Sequence, residues 1–479
     1  MTLTVEIIGS VLAVVSIVVS LIASGHVVLY KRNCRAAIAW AGLIWLAPFV
    51  GTCLYVLLGI NRIERRARTL RPGRTVVDHS DSASESTSHL RAAALRPHLA
   101  QLSKLVRSVT GRELTFGNAV EPLSGGDEAY PAMLAAINSA QRTVGLSTFI
   151  FDADDVGTEF AKALEAATKR GVEVRVLIDA VGAKYSLSSI VSILEELKVP
   201  VRTFNPPLIS WRFQYANLRN HRKILTIDGS IAFTGGMNIR GCCVSSENAR
   251  ETVKDLHFRL TGSIVKHVQD AFADDWQFAA GESLTGESWY PVLKESGDCI
   301  ARGIADGPDE HLDQLRLTLL GACQCAERSL RIFTPYFLPD ASLISALNVA
   351  ALRGVSVEIL IPQHGNQKLV QWACEAQLWQ LVDRGCQIRR TNPPFDHTKL
   401  VIVDDDWILL GSANWDPRSL RLNFEFDIEC YSRELASKLN QIFEAKKAKS
   451  KLATMNELQS RSLPVRLRDG VARLAAPFL

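Results

Sequence analysis

The stretch that decides the fold is HRKILTIDGSIAFTGGMN, residues 221–238, read beside HTKLVIVDDDWILLGSAN, residues 397–414. Each contains His-x-Lys-x4-Asp, and in each a Gly-small-x-Asn element begins 14 residues after the histidine. A lone His-x-Lys on a strand is usually a solvated edge. Two copies with the same trailing element at the same offset mark a duplicated unit. Residues two apart in a strand share a face. His221 and Lys223 therefore point one way and Arg222 the other, and His397 and Lys399 repeat the pattern. Asp228 lies seven positions beyond His221, which is the wrong parity for that face. Asp228-Gly229 reads as a hairpin turn, and Asp404, followed by Asp405 and Asp406, stands at the matching place.

Outward from these stretches the duplication continues. Residues 132–141 read as helix, 143–151 (TVGLSTFIF) as strand, 156–170 as helix stopped by Gly171, and 172–179 (VEVRVLID) as a buried strand. The second half follows the same plan. Residues 312–326 read as helix, 330–337 (LRIFTPYF) as strand, 341–353 as helix stopped by Gly354, and 355–362 (VSVEILIP) as strand. Both halves join helix to strand through Arg-Gly-Val, at Arg170 and at Arg353. Alternating strand and helix predicts an α/β fold with a mixed, largely parallel sheet. Two such units of ~160–190 residues should pack as a pseudo-twofold pair.

A pseudo-twofold brings two imidazoles and two ammonium groups together, a combination suited to phosphoryl transfer. Lys223, Lys399, Asn238 and Asn414 can hold phosphate oxygens. One of His221 and His397 can attack phosphorus while the other protonates the leaving oxygen. The intermediate is then a phosphohistidine. No metal or cofactor is expected, because the lysines supply the positive charge. Asp228 and Asp404 count among the site candidates as motif members, but their parity assigns them to turn and scaffold geometry. The carboxylates that orient the imidazoles should come from the next strand. The candidates are Asp255 in KDLHFRLTG (254–262) and Glu425 in NFEFDIEC (423–430); either could instead be a surface charge. His257 reads as structural or as an access residue, Trp276 and Trp407 as core, and Lys446, Lys447, Lys449 and Lys451 as a solvated helix end.

The N-terminus is of another kind. Residues 7–30 and 36–60 contain no Asp, Glu, Lys or Arg. At ~1.5 Å per residue either run can cross a ~30 Å hydrocarbon core. The five residues between them make a tight transmembrane hairpin. A cleaved signal peptide fits less well, because there is no basic leader and a second span follows at once. Residues 31–74 hold nine basic residues and one acid, whereas the whole chain of 479 residues carries only +4. Three of the nine lie in the loop and six follow the second run, which favours a cytoplasmic bulk. This collar can also grip anionic headgroups. Hydrophobic residues at 47% and charged residues at 22% exclude a disordered or collagen-like chain, and the even dilution of apolar residues excludes a many-pass membrane protein. The ten cysteines show no zinc-ligand spacing and read as buried free thiols in a reducing compartment. The expected domains are a hairpin (1–64), a polar Ser-rich linker (65–113, with a short helix over 91–108 lying near the membrane), two repeated units (114–295 and 296–446) and an extension (447–479).

At these residues the sequence resembles the phospholipase D superfamily and, within it, the bacterial cardiolipin synthases. The superfamily likeness rests on the two His-x-Lys-x4-Asp motifs. The narrower one adds AAIAWAGLIWLAPFVGTCLYVLLG (36–59), GNAVEPLSGGDEAY (117–130), RNHRKILTIDGSIAFTGGMNI (219–239), TPYFLPD (334–340), GSANWDPRSLRLNFE (411–425) and SLPVRLRDGVARLAAPFL (462–479). The resemblance implies duplicated phospholipase D-like domains that convert two phosphatidylglycerols to cardiolipin and glycerol at a bacterial inner membrane. His221 is then the nucleophile. His397 protonates the departing glycerol and deprotonates the incoming hydroxyl, while Lys223, Lys399, Asn238 and Asn414 bind phosphate. A phospholipase D using water and a phosphatidylserine synthase carry the same motifs. A nuclease-like phosphodiesterase fits less well, since the chain outside 31–74 is net negative and tethered, so no nucleic-acid partner is expected. A dead membrane scaffold is opposed by two complete motifs. The partners implied are phosphatidylglycerol and anionic membrane lipid.

Overall fold

The computed structural model describes residues 2–31, 34–59, 95–184, 189–205, 218–245, 252–308 and 311–476. The Ser-rich stretch and the six arginines from Arg62 to Arg74 lie outside the described residues. The chain divides into an N-terminal unit and a body beginning at Gly73, each taken by itself below.

In the first half of the body the strands are β1 (Thr115–Ser124), β2 (Thr143–Thr148), β3 (Glu173–Asp179), β4 (Val201–Phe204), β5 (Arg219–Asn220), β6 (Ile224–Ile227), β7 (Ile231–Gly235), β8 (Val253–Lys254) and β9 (Leu256–Thr261). The second half has β10 (Cys299–Asp306), β11 (Ser329–Phe333), β12 (Ser356–Pro362), β13 (Gln387–Thr391), β14 (Phe395–Asp396), β15 (Leu400–Val403), β16 (Trp407–Gly411), β17 (Asn423–Tyr431) and β18 (Lys451–Leu452). One continuous sheet runs β18-β13-β12-β11-β15-β16-β17-β10-β1-β9-β7-β6-β2-β3-β4. Apart from the terminal β18, this order reads the same from either side of the antiparallel β1–β10 pair. That symmetry is the expected pseudo-twofold.

The expectation of a largely parallel sheet is corrected. Parallel pairing joins β2 to β3 to β4 and β11 to β12 to β13. Every other pairing along that strand order is antiparallel. The cause is connection length. The parallel strands are linked through helices such as Asp155–Lys169 and Ala341–Leu352, whereas β6–β7 and β15–β16 are tight hairpins that can join only antiparallel neighbours.

The crossover helices begin and end alike. Asp154 Oδ1 accepts from Gly157 N at 2.9 Å, and Asp340 Oδ1 accepts from Ser342 N at 2.9 Å and Leu343 N at 3.0 Å. Gly171 at φ 88° and Gly354 at φ 91° then turn the chain into the next strand. Each half has its own apolar core. Phe160, Leu164, Val176, Ile178 and Phe233 build the first, and Leu330, Ile332, Leu347, Ile359 and Trp407 the second. The helix Pro97–Thr110 buries Leu99, Leu102 and Val106 in the second core, so this part of the expected linker packs into the body.

In the N-terminal unit the helix Thr2–Tyr30 is long and apolar enough, over Gly9–Tyr30, to cross a membrane. The second apolar run departs from the expected single span. It forms Cys34–Leu46, breaks at Ala47, and resumes as Pro48–Leu54 and a wider π-turn, Tyr55–Gly59. Pro48 has no N–H to continue the first ladder and starts the second instead. Val27, Ile44 and Tyr55 pack together, and Tyr55 Oη lies 2.8 Å from His26 Nδ1.

Candidate active site

The site is set by two very short strands. β5 adds in parallel to β17 with Asn220 opposite Phe424, and β14 adds in parallel to β8 with Asp396 opposite Lys254. One residue further along each register, His221 stands beside Glu425 and His397 beside Asp255. His221 N donates to Phe424 O at 2.9 Å, and His397 N donates to Lys254 O at 2.7 Å. The side chains complete the pairing, with His221 Nδ1 2.9 Å from Glu425 Oε2 and His397 Nδ1 2.9 Å from Asp255 Oδ2.

This corrects the expectation that each carboxylate orients the histidine of the strand before it. Asp255 and Glu425 do lie against the imidazoles, but exchanged between halves. The first half's histidine is held by the second half's acid, and the reverse, so neither half makes a complete site alone.

Both carboxylates are fully buried, and both imidazoles nearly so. Glu425 is the better furnished. Its Oε2 also accepts from Ser412 Oγ at 2.6 Å and its Oε1 from Asn423 Nδ2 at 3.1 Å. Asp255 Oδ1 accepts from Leu256 N at 2.8 Å. Gly236, which stands where the second half has Ser412, must be glycine, because a Cβ there would meet both Asp255 carboxylate oxygens at 2.6 Å. Arg222 faces away from the imidazoles, as its parity requires. It donates from Nε to Glu425 O at 3.0 Å and from Nη1 to Asp275 Oδ1 at 2.8 Å, so it fixes the strand that carries Glu425.

The lysines are buried too. Lys223 Nζ donates to His221 O at 2.6 Å, and Lys399 Nζ donates to His397 O at 2.5 Å. One of three protons is used in each case, leaving two for a ligand. Asn238 Oδ1 accepts from Ile150 N at 3.0 Å, and Asn414 Nδ2 donates to Ser419 Oγ at 3.1 Å. Both asparagines are thereby fixed in orientation.

Asp228 and Asp404 stand apart from His221 and His397. Asp228 accepts from the backbone N of Gln141, Arg142 and Thr143, and Asp404 from that of Glu327, Arg328 and Ser329. Each carboxylate therefore ties its hairpin to the start of β2 or β11. His257 is buried in β9, two residues after Asp255, with neither ring nitrogen hydrogen-bonded among the described residues. Trp276 and Trp407 are core residues.

The electrostatics couple the two motifs. Burial, reinforced by Lys223 and Lys399 and opposed by Glu425, lowers His221 to about 4. Burial, reinforced by both lysines and opposed by Asp255, lowers His397 to about 4. Lys223 is lowered to about 7 and Lys399 to about 8, chiefly by burial and against the pull of both carboxylates. Burial would raise Glu425 and Asp255, but each is held below the usual carboxylate range by its histidine and by the lysines. At neutral pH both imidazoles are thus neutral and face ionised carboxylates. Nδ1 carries the proton donated to the carboxylate, and Nε2 presents its lone pair. An arriving phosphodiester brings negative charge, which favours protonation of one imidazole.

The family model described as cardiolipin synthase, PLD-like domain, matches residues 133–276 and 319–447, one segment in each half. The chain belongs to that family. As a member, it is 29% identical over 456 residues to a cardiolipin synthase of Geobacillus kaustophilus, covering 94% of this chain and 90% of the relative. It is also 29% identical over 465 residues to a cardiolipin synthase of Listeria welshimeri, covering 95% of each. The fold matches a phosphatidylserine synthase of Haemophilus influenzae with a TM-score of 0.61 at 16% identity, over 79% of this chain and all of that one. What sequence reading of this family member missed is the exchange of carboxylates and the extra donors on Glu425. Asn423 could have been found by parity, being two residues before Glu425.

Proposed function

We propose that the chain is a cardiolipin synthase that transfers a phosphatidyl group between two phosphatidylglycerols. The observation that carries this reading is the pair of buried imidazoles, each backed by a buried carboxylate from the other half, with two buried lysines whose charge acts on both. His221 Nε2 attacks the phosphorus of the first lipid. His397, which takes up a proton at Nε2 when the lipid phosphate binds, gives that proton to the departing glycerol oxygen, leaving phosphatidyl-His221 and free glycerol. The hydroxyl of a second phosphatidylglycerol then gives its proton to His397 and attacks phosphorus, and cardiolipin leaves as the His221–phosphorus bond breaks. Lys223 and Lys399, with Asn238 and Asn414, stabilise the charge on the equatorial oxygens. Asp255 and Glu425 hold tautomer and orientation. The extent of the family match and the names of the relatives support the same donor and acceptor.

Membrane attachment belongs to this proposal. The helix Thr2–Tyr30 crosses the bilayer, the broken second run returns as the other arm of a hairpin, and the body lies on the cytoplasmic side of a bacterial inner membrane. The arginine excess after the second run supports that side. Protease added outside sealed vesicles of known orientation tests it.

The reaction is tested with purified full-length protein and phosphatidylglycerol alone. Cardiolipin and glycerol should form in equal amounts. Phosphatidic acid as the main product would make it a hydrolase, and a requirement for serine would make it a phosphatidylserine-forming enzyme.

A further inference from the structure

The helix Leu463–Leu474 has two different apolar faces. One holds it to the body. Ala472 is buried with Ala373 and Leu338, the Arg468 guanidinium lies 4.4 Å from the Trp372 ring centroid, and buried Asp469 accepts from Arg461 Nη1 at 2.7 Å and Arg468 Nη2 at 2.7 Å. The other face has no cover. Leu463, Leu467, Val471 and Leu474 are 65%, 60%, 66% and 77% exposed. At ~100° per residue these four fall within an arc of about 80° that points away from Ala472. Exposed Arg466 and Arg473 stand together along one edge of that arc. A water-facing helix would carry polar groups on the arc. An apolar stripe edged by arginines is what an anionic bilayer interface accepts, with leucines among the acyl chains and guanidinium groups at the phosphates.

Position ties the stripe to the chemistry. The helix packs on Lys368–Glu375, which begins two residues after Asn366. Asn366 Oδ1 accepts from Tyr336 Oη at 2.6 Å, and the Tyr336 ring lies 6.1 Å from His397. Residues Pro362 to Asn366 also line a cavity of about 540 Å³ together with Thr391, Pro393, Pro394 and Phe395. The Phe395 ring is 6.0 Å from His397.

We propose that Leu463–Leu474 lies in the plane of an anionic lipid interface, with Leu463, Leu467, Val471 and Leu474 inserted, and that this seating presents the cavity beside His397 to lipid. The inference rests on the phospholipid reading for its second clause only. It is tested with the full chain in nanodiscs of phosphatidylglycerol or phosphatidylcholine that contain a lipid with a photoactivatable acyl chain. Labelling should map to 463–474, and Arg466→Gln with Arg473→Gln should weaken it in phosphatidylglycerol more than in phosphatidylcholine. Leu467→Glu with Val471→Glu should abolish it and lower the rate on bilayers at least about tenfold, through a raised KM for surface lipid. The same variant should keep its rate on dispersed short-chain phosphatidylglycerol, which separates seating from misfolding. The proposal fails if 463–474 stays unlabelled while other segments label, or if the double variant keeps its bilayer rate. It fails equally if that variant only splits a dimer, which would give the face to a second copy. Absence of turnover on short-chain lipid by the parent protein would count against the proposed reaction, and photolabelling would still report on the helix.

Discussion

The two halves of the body share a frame and differ in what surrounds their histidines. His221 and His397, Lys223 and Lys399, and Asp228 and Asp404 superpose in role down to the backbone groups they bind. The differences lie one layer out. Glu425, which backs His221, also accepts from Ser412 Oγ and Asn423 Nδ2, whereas Asp255, which backs His397, has a single further donor among the described residues, Leu256 N. A carboxylate that already accepts several hydrogen bonds is a weaker base toward an imidazolium. On the proposed mechanism, Glu425 would then leave His221 as the nucleophile, and Asp255 would be the better support for a protonated His397. Duplication supplied two equal imidazoles, and the proposed mechanism assigns the division of work between them to their unequal surroundings.

The largest effect should come from breaking that division at its centre. His221→Ala should lower turnover at least about 10⁴-fold and abolish the covalent phosphatidyl-enzyme. Acid-quenched protein from radiolabelled phosphatidylglycerol reads it directly. Label found on His397 in the variant would reverse the assignment.

The next effect sharpens the exchange between halves. Glu425→Gln and Asp255→Asn should each lower turnover about 10²–10⁴-fold with phosphatidylglycerol, with much less change in Tm. A phosphatidyl substrate with p-nitrophenol as leaving group needs no acid. On it, Asp255→Asn and His397→Ala should keep the burst of p-nitrophenol, while Glu425→Gln and His221→Ala should lose it. Loss of the burst in Asp255→Asn would mean that Asp255 serves His221.

A smaller effect follows pH. Burial lowers Lys223 to about 7 and Lys399 to about 8, so both lose charge as pH rises through that range in the empty enzyme. With less charge to hold a diester, kcat/KM should fall on the alkaline side from about pH 7. Burial also lowers the nucleophile His221 to about 4, so the acid limb should lie well below pH 6. An alkaline limb near pH 10, read from kcat/KM on short-chain lipid, would mean that the lysines are not desolvated.

Local chemistry explains what could be read from the chain. The His-Lys parity, the Asp-Gly hairpin and the stop glycines Gly171 and Gly354 act over a few residues, and all are visible in sequence. The exchange of Asp255 and Glu425 is not. It depends on β5 and β14, two residues each, pairing with strands 204 and 142 positions away, as the His221–Glu425 and His397–Asp255 separations record. No periodicity survives in a strand of two residues. The break at Ala47 comes from Pro48, a local signal that counting uncharged residues does not register. The uncovered stripe of Leu463–Leu474 needed the structure, because only burial tells which of two apolar faces the body covers.

The smallest effect on turnover should come from the motif aspartates, and it again separates the halves. Each accepts from three backbone N–H groups at the entry to a strand, and neither meets His221 or His397. Alanine at either position strands those donors and should act on stability rather than on chemistry. The environments differ, because Asp404 is completely buried while Asp228 is partly exposed. Water can replace the carboxylate at Asp228 but not at Asp404. Asp404→Ala should therefore cost about 3 kcal/mol and Asp228→Ala about 1 kcal/mol, within the range for unsatisfied buried groups. Chemical unfolding measures both, and turnover per folded molecule should stay within about threefold of the parent. A hundredfold loss of turnover with stability unchanged would move these aspartates from the scaffold into the chemistry.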